Sequence, residues 1–106
     1  MQKIAANKLL VDKDTLINNG VVVRDDSKVI EATFSLDDCV VETANTVFLN
    51  GLITTYIPER NRIVGESVRT LITENLCAGY SGRLLLWKSI DLETLILTSK
   101  MEVIEI

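Results

Sequence analysis

Apolar and polar positions along this chain recur mostly with the period of two that marks strands, and in one stretch with the period of 3.6 that marks a helix. Residues 4–11 are mildly apolar and run through Asp12-Lys13-Asp14 to Leu16 and Ile17, which predicts a first strand and a polar turn. Asn18-Asn19-Gly20 follows, then the β-branched run Val21-Val22-Val23. Because Asn and Gly tolerate positive φ, a hairpin turn is expected there. After a polar turn over 24–28, residues 29–36 place Ala32, Phe34 and Leu36 between polar neighbours, a third strand with one wet face. Asp37-Asp38 breaks that pattern, and Cys39-Val40-Val41-Glu42 reads as a further short strand. Residues 46–49 and 52–57 flank Asn50-Gly51 and read as two strands around a turn or bulge. Pro58 then opens a charged surface loop, Glu59-Arg60-Asn61-Arg62.

Between Gly65 and Gly79 the spacing changes. Val68, Leu71, Ile72 and Leu76 follow one helical face, with Glu66, Arg69, Thr73 and Glu74 elsewhere, which predicts a helix over about 66–78. Ser67 or Gly65 suits its N-terminus, and Gly79 the left-handed position past its end. Arg83-Leu84-Leu85-Leu86-Trp87 is apolar enough for a buried strand, and 92–97 and 101–106 are two more strand candidates. The expected fold is one domain over 1–106, mainly β with one helix (α+β).

Composition supports this and adds a partner. Of the 106 residues, 47% are hydrophobic and 25% charged, the balance of a chain that folds around a core. A domain this small with positive mean hydropathy is expected to cover some apolar surface with a second chain, in a homodimer or against another protein. A net charge of −4 with no basic run argues against nucleic acid. No stretch approaches the roughly 20 apolar residues of a membrane span, and the N-terminus lacks the apolar core of a signal peptide, so no membrane partner and a cytoplasmic location are expected. Cys39 and Cys77 are read as small buried apolar residues rather than a disulfide.

Candidate chemistry is sparse. With no histidine, the usual general base and zinc ligand is missing, and two separated cysteines make no structural zinc site. The five glycines have neither P-loop nor dinucleotide-fingerprint spacing. Asp25-Asp26 and Asp37-Asp38 could hold a hard cation or act as acid and base, but both sit in predicted turns, where Asp serves local hydrogen bonds. Trp87 reads as core whose indole N–H needs a partner, while Tyr56, Tyr80 and Trp87 together could instead line a groove. No cofactor is expected.

The order of elements resembles the small β domain that accompanies the barrel in metal-dependent hydrolases of the amidohydrolase superfamily. The similar segments are Lys3-Ile4-Ala5-Ala6-Asn7-Lys8-Leu9-Leu10, Asn19-Gly20-Val21-Val22-Val23 and Lys28-Val29-Ile30-Glu31, and above all Asn50-Gly51-Leu52-Ile53-Thr54-Thr55-Tyr56-Ile57-Pro58. That last stretch is similar to the family's Pro-Gly-(Leu/Phe)-(Ile/Val)-Asn-x-His-x-His, with Tyr56 and Pro58 at the two metal-binding histidine positions and Asn50 in place of the usual Pro. Gly82-Arg83-Leu84-Leu85-Leu86-Trp87 resembles the segment that returns the chain from the barrel, with Arg83 near where an Asp is expected. The resemblance implies a bent mixed sheet forming a pseudo-barrel, with N-terminal strands over 3–57 and C-terminal strands over 83–106 interleaved. It also implies that the barrel and both first metal ligands are gone, so the chain is not an enzyme. On this reading Leu52, Ile53, Tyr56 and Ile57 lose their cover and form an interaction surface. The alternative is a small-molecule or regulatory binding module with its groove at Tyr80 and Trp87.

Overall fold

A computed structural model describes residues 2–38 and 46–106. Strands β1 (Gln2–Asp12) and β2 (Thr15–Arg24) form a long antiparallel hairpin, and β3 (Ile30–Ser35) adds to the outer side of β2. β4 (Thr46–Thr55) runs parallel to β1 on its other side. β5 (Leu84–Lys88) and β6 (Glu102–Glu105) continue the sheet antiparallel beyond β4, which gives the order β3-β2-β1-β4-β5-β6. The expectation of a mainly β chain with one helix holds. Among the described residues the sheet is mixed and not closed by strand pairing, and its C-terminal strands are appended at one edge rather than interleaved with the N-terminal ones. The parallel β1–β4 pair is the reason: it sets β4, not an N-terminal edge strand, next to β5.

The hairpin turns at Asp12–Thr15, where the Asp12 carboxylate accepts the Asp14 N–H at 2.8 Å. Asn18-Asn19-Gly20 is therefore not a turn but lies inside β2. Its tolerance of positive φ is used all the same. Asn19 has φ 50° and faces Asn7 on β1, beside which the β1–β4 register slips as Gly51 adopts φ 134°. The Asn7 side-chain oxygen accepts the Gly51 N–H at 2.8 Å. One line of irregularity thus crosses three strands, and bulges of this kind bend the strands that carry them. Asn50-Gly51 is accordingly a bulge within one strand rather than a turn between two.

Side chains alternate across the sheet and feed both faces. Ile4, Leu9, Val22, Ile53, Leu84 and Leu86 join one apolar cluster, whereas Leu10, Leu52, Leu85 and Trp87 join a second. Ala5, Val21 and Val23 form a third, smaller one with Phe34 and Leu36 against it. The run 84–87 is buried on both faces, as its unbroken apolarity predicts.

The predicted helix is far shorter than its pattern. Only Val68–Leu71 is helical (α1), capped by Ser67, whose Oγ accepts the Arg69 N–H at 3.2 Å. Ile72 is already extended. The apolar spacing is real but serves two destinations: Val68, Leu71 and Ile72 pack on the second cluster, whereas Leu76 packs on the first and donates its N–H to the Val11 carbonyl at 2.7 Å. No straight helix reaches both faces of a sheet. Gly79 has its positive φ in a turn at 77–80 and not at a helix end, and that turn leaves Cys77 exposed, contrary to its expected burial. Cys39 and the strand expected at 39–42 lie outside the described residues. Residues 92–97 form no strand; Ile96 makes a single antiparallel bridge to Ser67.

Candidate functional site

β4 delivers the segment that the sequence singles out. Its buried end, Leu52 to Thr55, pairs with β5, and Tyr56, Ile57 and Pro58 follow directly. Tyr56 is half-buried and donates its N–H to the Tyr80 hydroxyl at 3.2 Å, while that hydroxyl donates to the Arg83 carbonyl at 2.8 Å. Two guanidinium groups approach the Tyr56 ring, Arg83 at 5.3 Å from its centroid and Arg62 at 6.0 Å, within cation–π range. Arg62 is held by its Nε–H on the Ile57 carbonyl at 3.0 Å and also lies 5.8 Å from the Trp87 ring. Arg83 pairs with Glu105 at 3.4 Å in an exposed ion pair. Pro58 begins a single 3-10 turn in which its carbonyl accepts the Asn61 N–H.

This is a packing and hydrogen-bonding cluster. Burial pushes the Tyr80 phenol above its ordinary range, against the opposing hydrogen bond from Tyr56, so the hydroxyl keeps its proton and remains a donor to Arg83. Among the described residues no carboxylate is hydrogen-bonded to either tyrosine. Among the described residues no group of three or more His, Cys, Asp or Glu side chains could hold a metal ion.

The expected interaction surface is corrected at three of its four positions. Leu52, Ile53 and Ile57 are fully buried, because strand alternation sends Ile53 into the first cluster and Leu52 and Ile57 into the second, where this chain's own segments cover them. Only Tyr56 remains partly accessible. The expected groove is corrected too: Tyr80 packs on the first cluster and Trp87, with no exposed surface, belongs to the second. The Trp87 indole N–H donates to the Thr54 hydroxyl at 2.8 Å, and that hydroxyl donates to the Thr55 carbonyl at 2.8 Å. Thr54 and Arg62 are the contacts that sequence reading misses, since a strand residue's partner across the sheet depends on register.

Beside this cluster a cleft of about 390 Å³ is lined by Glu59, Arg62, Met101 and Val103, and two more clefts lie elsewhere. One of about 620 Å³ is formed by the β1–β2 turn and the α1 region, with Arg69 donating to the Lys13 carbonyl at 2.9 Å across it. A second, of about 350 Å³, opens beside Asn7, Gly51 and Lys88, where β5 diverges from β4. Asp25 accepts the Ser27 and Val29 N–H groups and fastens its turn, whereas Asp37 accepts the Asn19 side-chain amide and ties the chain after β3 to β2. No helix among the described residues is long and apolar enough to cross a membrane. No protein-family model, no curated protein and no solved structure matches the chain.

Proposed function

We propose that this chain is a non-catalytic protein-interaction or scaffold module of the cytoplasm, an amidohydrolase-like small domain without its barrel, that works as a homodimer. The observation that carries the reading is the apolar area left on the surface once the core is filled. Phe48 is 62% exposed, and Val47, Ile63 and Val64 are at least half exposed. Exposed apolar side chains that adjoin in a patch favour a covered state, which is the arrangement this reading assigns to the surface around Phe48. On this reading Phe48, the most exposed of them, takes the place of the buried Leu52, Ile53 and Ile57 in the contact surface. The engagement of Tyr56 with Tyr80 and of Pro58 with Asn61 supports a structural role at the two positions where a related enzyme would hold its metal.

Size-exclusion chromatography with light scattering tests the proposal: a dimer mass is expected at micromolar concentration, reduced towards the monomer by Phe48→Ser, and a strict monomer overturns the homodimer. Metal analysis of the purified protein is expected to find no stoichiometric zinc or nickel, and a stoichiometric metal would reopen catalysis. A ligand-binding role has one observation in its favour, the polar cleft of about 620 Å³ at Arg69.

A further inference from the structure

Two Asn-Gly pairs, Asn19-Gly20 and Asn50-Gly51, lie inside strands of this sheet, each with an exposed asparagine followed by a buried glycine. Such a pair can deamidate without an enzyme. The glycine nitrogen, having lost its proton, attacks the side-chain carbonyl carbon of the asparagine; the bond to the amide nitrogen breaks, ammonia leaves and a cyclic succinimide remains. Water then opens that ring at either carbonyl and leaves Asp or the chain-lengthened iso-Asp. Glycine is the following residue that favours the reaction, because it has no Cβ to hinder the approach of its nitrogen.

The two pairs are held differently. Gly20 stands inside the sheet, paired with Ala6 on β1 and Ser35 on β3, and the Asn19 amide donates to both oxygens of Asp37 at 3.3 Å. Asn50 and Gly51 stand together opposite the single Asn7, since the register passes from Ala6–Leu49 to Lys8–Leu52. The pairing of β4 with β5 begins only at Leu52. At this bulge the Gly51 N–H is held by a side chain, the Asn7 oxygen at 2.8 Å. No hydrogen bond among the described residues holds the exposed Asn50 amide, and the pair lines the cleft of about 350 Å³ where β5 diverges. We propose that Asn50-Gly51 is a deamidation site latched by Asn7: the hydrogen bond keeps the proton on the Gly51 nitrogen and that nitrogen engaged, and loss of the Asn7 acceptor releases the reaction. The co-reactant is water. The product carboxylate lines the same cleft as Lys88, and the iso-Asp form adds a main-chain carbon to the bulge of β4.

The test incubates the folded chain at mildly alkaline pH and follows Asn50 and Asn19 separately by peptide mass spectrometry, with the chain unfolded in urea as the reference for unprotected rates. Both pairs are expected to convert readily in urea and slowly in the folded chain. Asn7→Ala should speed conversion at Asn50 about tenfold, the order of effect of one hydrogen bond, and leave Asn19 unchanged. Asn7→Asp, whose carboxylate still accepts from Gly51, should stay near the parent rate. Asn7 is exposed, so these variants are expected to fold; Asn7→Ser, whose shorter side chain also loses the contact, carries the test if Asn7→Ala does not. Fast conversion of Asn50 in the folded parent, or no acceleration there in Asn7→Ala, overturns the proposal. So does equal acceleration at Asn19, which reports unfolding of the whole chain, or acceleration by Asn7→Asp as large as that by Asn7→Ala.

Discussion

The Thr54 hydroxyl shows how much a single buried polar group decides. It accepts the Trp87 indole N–H inside the second cluster, so Thr54→Val keeps the shape but leaves that donor unpaired. The expected cost is about 1–3 kcal/mol, read from urea unfolding followed by the fluorescence of Trp87, the chain's single tryptophan. Gly51 is constrained twice, by φ 134° and by the Trp87 carbonyl oxygen, which a Cβ would overlap. Gly51→Ala is therefore expected to destabilise by more than about 1 kcal/mol in the same assay. Asp12 and Asp91 have pKa values lowered chiefly by the backbone N–H groups of Asp14 and Glu93. A depressed folded-state pKa gives stability that is present above the unfolded value and lost as pH falls through the folded one. Asp12→Ala should thus lower the urea midpoint at neutral pH and shrink its decline on acidification below about pH 4. At this scale the sequence already shows Trp87 as core and Asp25 as a turn former. It does not show the bond from Trp87 to Thr54, because no local rule tells which residue of another strand lies opposite.

Among the elements, the helix is the most informative difference between pattern and structure. Val68, Leu71, Ile72 and Leu76 carry helical spacing, yet the chain leaves the helix at Ile72 so that Leu76 can enter the other face of the sheet. Far-UV circular dichroism should accordingly show a strand-dominated spectrum with about one turn of helix rather than three. Ser67→Ala removes the cap of that turn and should cost about 1 kcal/mol in urea unfolding. Leu76→Ala should cost about 2–5 kcal/mol despite its irregular surroundings, because its side chain is fully buried. The Asn-Gly pairs are the converse case. Their backbone freedom is legible in the sequence, but Asn19 and Gly51 spend it on a crease through β2 and β4. A turn and a bulge need the same φ, so only the pairing of the strands distinguishes them.

For the whole molecule, the parallel placement of β4 against β1 joins both halves of the chain into one sheet. Native-state hydrogen exchange is expected to be slowest in β1 and at Leu52 and Ile53 of β4, which are paired on both sides, and faster in the edge strands β3 and β6. Val47 and Phe48 belong to this sheet yet keep exposed side chains, as do Ile63 and Val64 outside it, and the light-scattering measurement tests whether a second copy covers them. The sequence by itself determined the β-rich class, the buried 84–87 strand and the lack of an imidazole, and narrowed the helix start to Ser67 or Gly65, because composition and local periodicity act through neighbouring residues. Only the tertiary structure decided that Leu52, Ile53 and Ile57 are core rather than surface, that Tyr56 and Tyr80 are joined by a hydrogen bond, and that the Asn7 side chain holds the Gly51 N–H. Each of these depends on which distant segments cover which face, and that is set by strand order and register across the whole chain.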